Sequence, residues 1–155
     1  MKKAFFLIPF LFAIITASSQ VPDFSGNWKL NTEKSKLNAE FSFAPIELKI
    51  THKGNDLSVE RHSEFQGESV TMTDKFTLDG KECINAGFMD TQKKSNAAWS
   101  EDKKSLKITS KIVMDDGNEI IITEIYRMDG KNLVIDSSST SSWGEMAETH
   151  VYEKN

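Results

Sequence analysis

The chain has one cysteine among its 155 residues, Cys83, and this excludes an intramolecular disulfide. A lone thiol can act as a nucleophile, but Cys83 lies in none of the local sequence patterns typical of that role. We therefore interpret Cys83 as a partly buried bystander. The fold is expected to be stabilised by packing and strand pairing alone.

Motifs for catalysis and cofactor binding are missing as well. The sequence contains no Gly-x-Ser-x-Gly, no glycine-rich phosphate loop and no His-Glu-x-x-His. Its three histidines, His52, His62 and His150, lack the close spacing of metal ligands. We predict no catalytic residue, no metal and no cofactor, and we interpret the protein as a non-enzyme. A haem-binding barrel that uses one of the histidines is an alternative.

Only one long hydrophobic run occurs, and it lies at the N-terminus. Residues 1–19 begin with Lys2 and Lys3, continue through an apolar stretch at 4–15, and end with small residues. The apolar stretch is too short to span a bilayer, and this order of segments is typical of a secretory signal peptide. We predict cleavage before Gln20, export to the periplasm or the extracellular space, and no transmembrane segment in the mature chain. An uncleaved N-terminal anchor is the alternative.

Positive charge is scarce in the mature chain. Removing the two lysines of the signal peptide leaves 17 basic against 23 acidic residues, a net charge of −6. This charge argues against a nucleic-acid partner. About 135 residues remain, which suffices for one domain with a single core or cavity. We predict one barrel domain over residues 20–155, and a monomer.

Helical periodicity is almost absent, and short strand signals separated by turn residues fill the mature chain. The one helical candidate, residues 32–37, is a single turn that is too short to be stable alone. About nine or ten strand segments recur at a spacing of roughly 8–12 residues. Closure into a barrel would remove the two exposed edges of an open sheet. We predict an all-β, up-and-down antiparallel β-barrel of about 8–10 strands, with a β-sandwich as the alternative.

Three charged side chains fall on strand faces that are otherwise apolar. Alternation places Arg61 on the face of Val59, Asp74 on the face of Phe76, and Glu124 on an isoleucine-rich face. Burying an unpaired charge costs several kcal/mol. An inward Arg61 therefore requires Asp74, Glu124 or a ligand anion as its partner.

A two-residue turn at residues 129–130 predicts the register of the strands that flank it. It pairs Tyr126 with Leu133 and Glu124 with Ile135. This register places Tyr126 and Glu124 on one largely apolar face.

A Gly-x-Trp pattern, formed by Gly26 and Trp28, opens the mature chain. Glycine permits close backbone approach and tryptophan fills space, so both residues suit the closed end of a small barrel. The segment 24–30 resembles the first strand shared by the calycin group, which comprises the lipocalins and the fatty-acid-binding proteins. Residues 149–154 resemble the closing strand of the fatty-acid-binding proteins. This resemblance covers most of the mature chain and implies a calycin-like barrel that binds a small hydrophobic or amphipathic ligand.

Two features depart from the fatty-acid-binding proteins. That family inserts a helix pair between its first two strands, whereas only residues 32–45 are available here. Its closing strand carries Arg-x-Tyr to hold a ligand carboxylate, and the matching positions are His150 and Tyr152. Only Tyr152 carries over directly, because a neutral histidine does not replace the fixed charge of arginine.

The function expected of such a barrel depends on its inward side chains. We predict that one polar group of residues holds the polar end of the ligand and that an apolar group contacts its tail. The alternatives are an internal salt-bridge network in a filled barrel, and a bulge that turns Arg61 to solvent. The polar group is Arg61, Tyr126, His150 and Tyr152, and the apolar group is Phe65, Met72, Phe76, Ile108 and Ile122.

A second hypothesis is a filled barrel that acts as a non-enzymatic interaction module for another envelope protein. Four aromatic residues in predicted loops, Phe41, Phe43, Phe88 and Trp143, motivate it. They would form an exposed apolar surface in that case.

Overall fold

The computed structural model describes residues 21–65 and 67–155, without the side chains of Phe65 and Phe88. The predicted signal peptide and its cleavage site lie outside these residues. The described chain forms ten strands. They are β1 (Gly26–Leu30), β2 (Glu47–Lys53), β3 (Asp56–Phe65), β4 (Glu68–Thr77), β5 (Asp79–Ala86), β6 (Gln92–Trp99), β7 (Ser105–Val113), β8 (Glu119–Asp129), β9 (Asn132–Ser141) and β10 (Gly144–Lys154).

The ten strands form one antiparallel sheet in the order β4-β3-β2-β1-β10-β9-β8-β7-β6-β5. Except for β4 and β5, strands that follow one another in sequence pair side by side, and β1 pairs with β10, so the sheet curls into a nearly closed barrel. This confirms the predicted up-and-down barrel and excludes the sandwich. The two ends of the sheet, β4 and β5, are joined by side chains: Asn85 bonds the backbone N–H of Lys75 at 2.8 Å and its carbonyl at 3.1 Å.

The predicted register of β8 and β9 is wrong by two residues. Tyr126 pairs with Ile135, and Glu124 pairs with Ser137. The turn begins one residue later than predicted, because Asp129 stays in the ladder and Gly130, with a φ of 60°, takes the first turn position. Since side-chain direction repeats every two residues, the even shift leaves Tyr126 and Glu124 on the predicted face.

The helical candidate at residues 32–37 forms one hydrogen-bonded turn and does not extend into a longer helix: the Ser35 N–H donates to the Asn31 carbonyl at 3.1 Å. Lys36 instead makes a bridge to β10: its N–H donates to the Thr149 carbonyl at 2.8 Å, and the Thr149 N–H donates back at 3.0 Å. These bonds occupy backbone groups that a helix would need. The described residues form one short 3-10 turn, Phe88–Asp90. In the same part of the chain, no helix is long and apolar enough to cross a membrane.

One end of the barrel is packed with aromatic side chains. Trp28 is only 1% exposed, and its Nε1–H donates to the Phe24 carbonyl at 2.9 Å. The Phe24 ring stacks on Trp99 with centroids 5.6 Å apart. Gly26 has a φ of 148°, and a Cβ there would lie 2.7 Å from Cε of Lys154. This positive φ, which L-residues rarely adopt, favours glycine at position 26, whereas the flexible Lys154 side chain could shift to admit a Cβ.

The opposite end of the barrel is less filled. Alternation points several apolar and hydroxyl side chains inward there, yet each is only partly buried. We call this region the open half. Its inward residues include Met72, Ile120, Ile122, Ser139 and Met146.

Candidate functional site

Arg61 lies at the boundary between the packed end and the open half. Its side chain is 14% exposed and points into the barrel. Nε donates to Oδ2 of Asp74 at 3.1 Å. Nη1 and Nη2 donate to the two carboxylate oxygens of Glu124 at 3.0 and 2.8 Å, and Nη2 also donates to the Tyr126 hydroxyl at 2.8 Å. The planar guanidinium thus binds Glu124 in the two-pronged geometry typical of strong arginine–carboxylate pairs.

Strand pairing explains part of this arrangement. Arg61 stands opposite Met72, and Val59 stands opposite Asp74, so Arg61 and Asp74 are diagonal neighbours on one face. Glu124 comes from β8, which is not adjacent to β3 in the sheet. The Arg61 side chain therefore connects two walls of the barrel across its interior.

Lys93, on β6, is a member of this site that the sequence analysis missed. Its Nζ donates to Oδ2 of Asp74 at 2.8 Å, and its side chain is only 12% exposed. From the sequence, the strand is predicted over residues 95–99, whereas β6 begins at Gln92, and the alternation that buries Ser95 and Ala97 continues back to Lys93. We call the five residues Arg61, Asp74, Lys93, Glu124 and Tyr126 the interior ionic cluster.

The formal charges of the interior ionic cluster cancel. Burial opposes the charged form of Arg61, but Glu124, Tyr126 and Asp74 outweigh this effect and raise the pKa of Arg61. Burial raises the pKa of Tyr126 well above its usual range, so its phenol is neutral. Two cations therefore face two carboxylates, and the cluster carries no net charge.

One carboxylate oxygen of the cluster is unsatisfied. Asp74 is 1% exposed, and its Oδ1 has no hydrogen-bond partner among the described residues. Its other oxygen accepts from both Arg61 and Lys93. Because unpaired buried acceptors are rare and costly, this atom marks a position where a donor is missing.

The side chains of His150 and Tyr152 form hydrogen bonds with residues outside the interior ionic cluster. His150 Nε2 lies 3.0 Å from a carboxylate oxygen of Glu148, and the Tyr152 hydroxyl donates to the Pro45 carbonyl at 3.0 Å. The other carboxylate oxygen of Glu148 accepts from the Asn38 N–H at 2.7 Å. Residues on β10 therefore hold the segment 38–45 against the barrel.

The predicted apolar contacts fall into two groups. Phe76 and Ile108 are buried in the packed core, and Met72 and Ile122 lie half-buried in the open half. The Phe65 side chain lies outside the described part of the structure. Phe76 and Ile108 are thus suited to form the floor of a ligand site, and Met72 and Ile122 are suited to line its wall.

The loop aromatics behind the interaction hypothesis are exposed. Phe41 and Phe43 contact each other edge to face with centroids 4.3 Å apart, and Trp143 is 67% exposed in the turn between β9 and β10. The Phe88 side chain is not described. Exposed aromatics that occur singly or as a pair are common on protein surfaces.

The hydrogen bonds that Glu148 makes with Asn38 and His150 predict that the stability of the fold depends on pH. Burial opposes ionisation, but hydrogen bonds from Asn38 and His150 outweigh it and lower the pKa of Glu148. A lowered pKa stabilises the fold above the unfolded value of 4.5, and this contribution is lost as the pH falls through the folded value. We expect Glu148→Gln to reduce the free energy of unfolding by about 1 kcal/mol at neutral pH, because the variant loses a charged acceptor.

The measurement is urea unfolding of both proteins at several pH values. The difference between wild type and Glu148→Gln should shrink as the pH falls below about 4.5. Glu145→Gln, an exposed position on the same strand, is the matched control and should cost less than about 0.5 kcal/mol. A difference that stays constant down to low pH would contradict the assignment.

Among the described residues, no group of three or more His, Cys, Asp or Glu side chains is arranged to hold a metal ion. No protein-family model matches the sequence, and no curated protein sequence matches it. Evidence from known proteins therefore comes from solved structures.

Solved structures similar to this chain include a bile acid-binding protein, a lipid binding protein and a fatty-acid-binding protein. The zebrafish ileal bile acid-binding protein complexed with cholic acid matches with a TM-score of 0.58 and 15% identity, over 85% of this chain and 98% of that one. Apo lipid binding protein 8 of Caenorhabditis elegans matches with a TM-score of 0.58 and 12% identity, over 92% of this chain and 100% of that one. A fatty-acid-binding protein of Manduca sexta matches with a TM-score of 0.48 and 18% identity, over 84% of this chain and 99% of that one. At these identities the first two matches show the fold alone, and they support the assignment of a calycin-like barrel fold.

Proposed function

We propose that the protein binds a small hydrophobic or amphipathic ligand in the open half of its barrel. The observation that carries this proposal is the interior ionic cluster, which lies below inward-facing apolar side chains that are only partly buried. Ligand sites of this kind combine mostly apolar walls with a few polar groups that fix orientation. Similar barrels that bind bile acid or lipid support the proposal at the level of the fold.

In this proposal the ligand enters with its polar end towards Arg61 and Tyr126. Met72 and Ile122 form the wall along its tail, and Phe76 and Ile108 form the packed floor. His150 and Tyr152 contribute by holding the segment 38–45, which borders the open half. The protein acts as an exported, monomeric, non-enzymatic binder, and the ligand is taken from the periplasm or the extracellular space.

Two adjacent isoleucines on β8 offer a test. Ile122 points into the open half, and Ile121 points outward with 43% exposure. Tryptophan at position 122 would fill part of the proposed site, whereas tryptophan at position 121 would extend into solvent. We expect Ile122→Trp to weaken binding of the neutral fluorescent probe N-phenyl-1-naphthylamine by about tenfold, and Ile121→Trp to leave it unchanged.

Fluorescence titration of the mature protein measures this effect. Equal affinities of the two variants would mean that the probe binds elsewhere. Native mass spectrometry of the mature protein, purified from its own exported compartment, gives an independent test through any co-purified small molecule. If the wild type shows neither saturable probe binding nor a bound mass, the filled interaction module becomes the better hypothesis.

A further inference from the structure

We propose that the ligand's polar end is uncharged and carries an O–H or N–H donor, as in an alcohol or a primary amide, and is not a carboxylate. This inference rests on the proposed function, because it specifies the chemistry of a ligand in the open half. It depends on the interior ionic cluster, the unsatisfied oxygen of Asp74, and the surroundings of His150.

The charges of the interior ionic cluster are already balanced. Arg61 and Lys93 already face the carboxylates of Asp74 and Glu124 at 2.8 to 3.1 Å. A ligand carboxylate would add a third negative charge to a largely buried cluster whose two cations are already neutralised. Burial of a charge without a partner is strongly unfavourable, so the cluster disfavours an anionic end group.

Asp74 has one carboxylate oxygen without a hydrogen-bond donor in the part of the chain that the structure describes. Oδ1 accepts no hydrogen bond from the described residues, although the side chain is 1% exposed. A carboxylate oxygen can only accept, so its partner must bring an N–H or O–H group. A hydroxyl or an amide supplies this hydrogen, whereas an ionised carboxylate or an ester does not.

A ligand hydroxyl at Asp74 can also accept a hydrogen bond. The Lys93 ammonium carries three N–H groups, one of which is donated to Asp74. A ligand hydroxyl that donates to Oδ1 of Asp74 would lie near this ammonium and could accept from it. Asp74 precedes Phe76 and follows Met72 on the inward face of β4, so the ligand tail would run past Met72 into the open half.

The second polar region inside the barrel lies on the closing strand, β10. There, Glu148 lies 3.0 Å from His150, and its lowered pKa keeps it ionised. A ligand carboxylate near His150 would meet this like charge. Neither polar region inside the barrel therefore provides an uncompensated cation for an anionic ligand.

The test compares three ligands with the same alkyl tail: dodecan-1-ol, dodecanoate and methyl dodecanoate. Each displaces N-phenyl-1-naphthylamine from the mature protein at about pH 8, where a free carboxylic acid is ionised. We expect dodecan-1-ol to bind about tenfold more tightly than both others, because it alone supplies a donor without adding charge.

Asp74→Asn tests the role of the aspartate directly. The substitution removes one negative charge and leaves the cluster with an excess positive charge, so we expect the preference to reverse in favour of dodecanoate. Asp56→Asn, an exposed position at the start of β3, is the matched control and should keep the wild-type preference. Circular dichroism establishes whether the variant is folded, and if it is not, the three ligands on wild-type protein decide.

The outcomes separate this inference from the proposed function. If neither the probe nor any of the three ligands binds, the proposed function fails. If the ligands bind but dodecanoate equals or exceeds dodecan-1-ol, the barrel binds ligands and the neutral-donor inference is wrong. Equal binding of the alcohol and the ester would mean that water satisfies Asp74, and this also overturns the inference.

Discussion

Replacing Arg61 with methionine is expected to lower the free energy of unfolding by about 3–5 kcal/mol. The side chain is 14% exposed and donates to Asp74, Glu124 and Tyr126. Without this arginine, Glu124 would lose its cationic partner, and Asp74 would keep only its ion pair with Lys93. Loss of one member of a buried ion pair is costly because the remaining charge is left without compensation.

A second arginine in the chain provides a matched control. Arg127 donates from Nε to Oδ2 of Asp136 at 3.3 Å, and the two side chains are 40% and 41% exposed. The donor and acceptor groups are the same as in the Arg61–Asp74 contact, but this pair is exposed to solvent over about two-fifths of each side chain. We therefore expect Arg127→Met to cost only about 0–1 kcal/mol.

Urea unfolding followed by circular dichroism at neutral pH measures both effects. Arg61→Lys adds a further comparison, because lysine keeps the charge but cannot bind both oxygens of Glu124 in the same planar geometry. Its cost should fall between those of the other two variants. Similar small costs for Arg61→Met and Arg127→Met would show that the cluster contributes little to stability, and that Arg61 is retained for another reason.

The composition of the interior ionic cluster was partly predictable. Alternation along each strand placed Arg61, Asp74 and Glu124 inward, and the need to compensate a buried charge made them partners. The predicted inward direction of Glu124 was correct despite the register error between β8 and β9, because a shift of two residues leaves each side chain on the same face of the sheet. Period-two patterning therefore predicts which residues face the interior better than it predicts which residues pair.

The cross-barrel geometry was not predictable in the same way. Sequential pairing determines the neighbours of a strand, but contacts between β3 and β8 depend on the tilt and stagger with which the barrel closes. The sequence prediction omitted Lys93 because the polar residues at the beginning of its strand show no alternation of apolar and polar positions. The unsatisfied oxygen of Asp74 depends on the positions of individual donors, which a sequence pattern does not contain.

The segment between β1 and β2 shows the limit of a prediction that is made from local sequence alone. The sequence allowed a single helical turn there, since residues 32–37 lack strong breakers. The structure uses the backbone of Lys36 to extend the ladder with Thr149, and Asn38 to bond Glu148. The Ser35 N–H closes one turn on the Asn31 carbonyl, and the tertiary hydrogen bonds of the following residues then end the turn, because helix propensity is weak in so short a segment.

Trp28→Ala is expected to reduce the free energy of unfolding by about 3–5 kcal/mol, an effect similar in size to that of Arg61→Met. Trp28 is 1% exposed at the packed end of the barrel, and its indole N–H bonds the Phe24 carbonyl. Removing the ring would leave a cavity between β1 and the aromatic layer. The cost then includes both lost burial and the incomplete collapse of that cavity.

Trp143→Ala is the matched control, since the same ring is removed from a turn where it is 67% exposed. Its cost should be within about 0.5 kcal/mol of zero, measured by the same urea titration. Because Trp28 lies at the packed end, folded Trp28→Ala should bind N-phenyl-1-naphthylamine with unchanged affinity, whereas Ile122→Trp should lose affinity. If Trp28→Ala abolishes binding while the protein remains folded, the packed end is part of the ligand site, and the assignment of stability to one end and binding to the other is wrong.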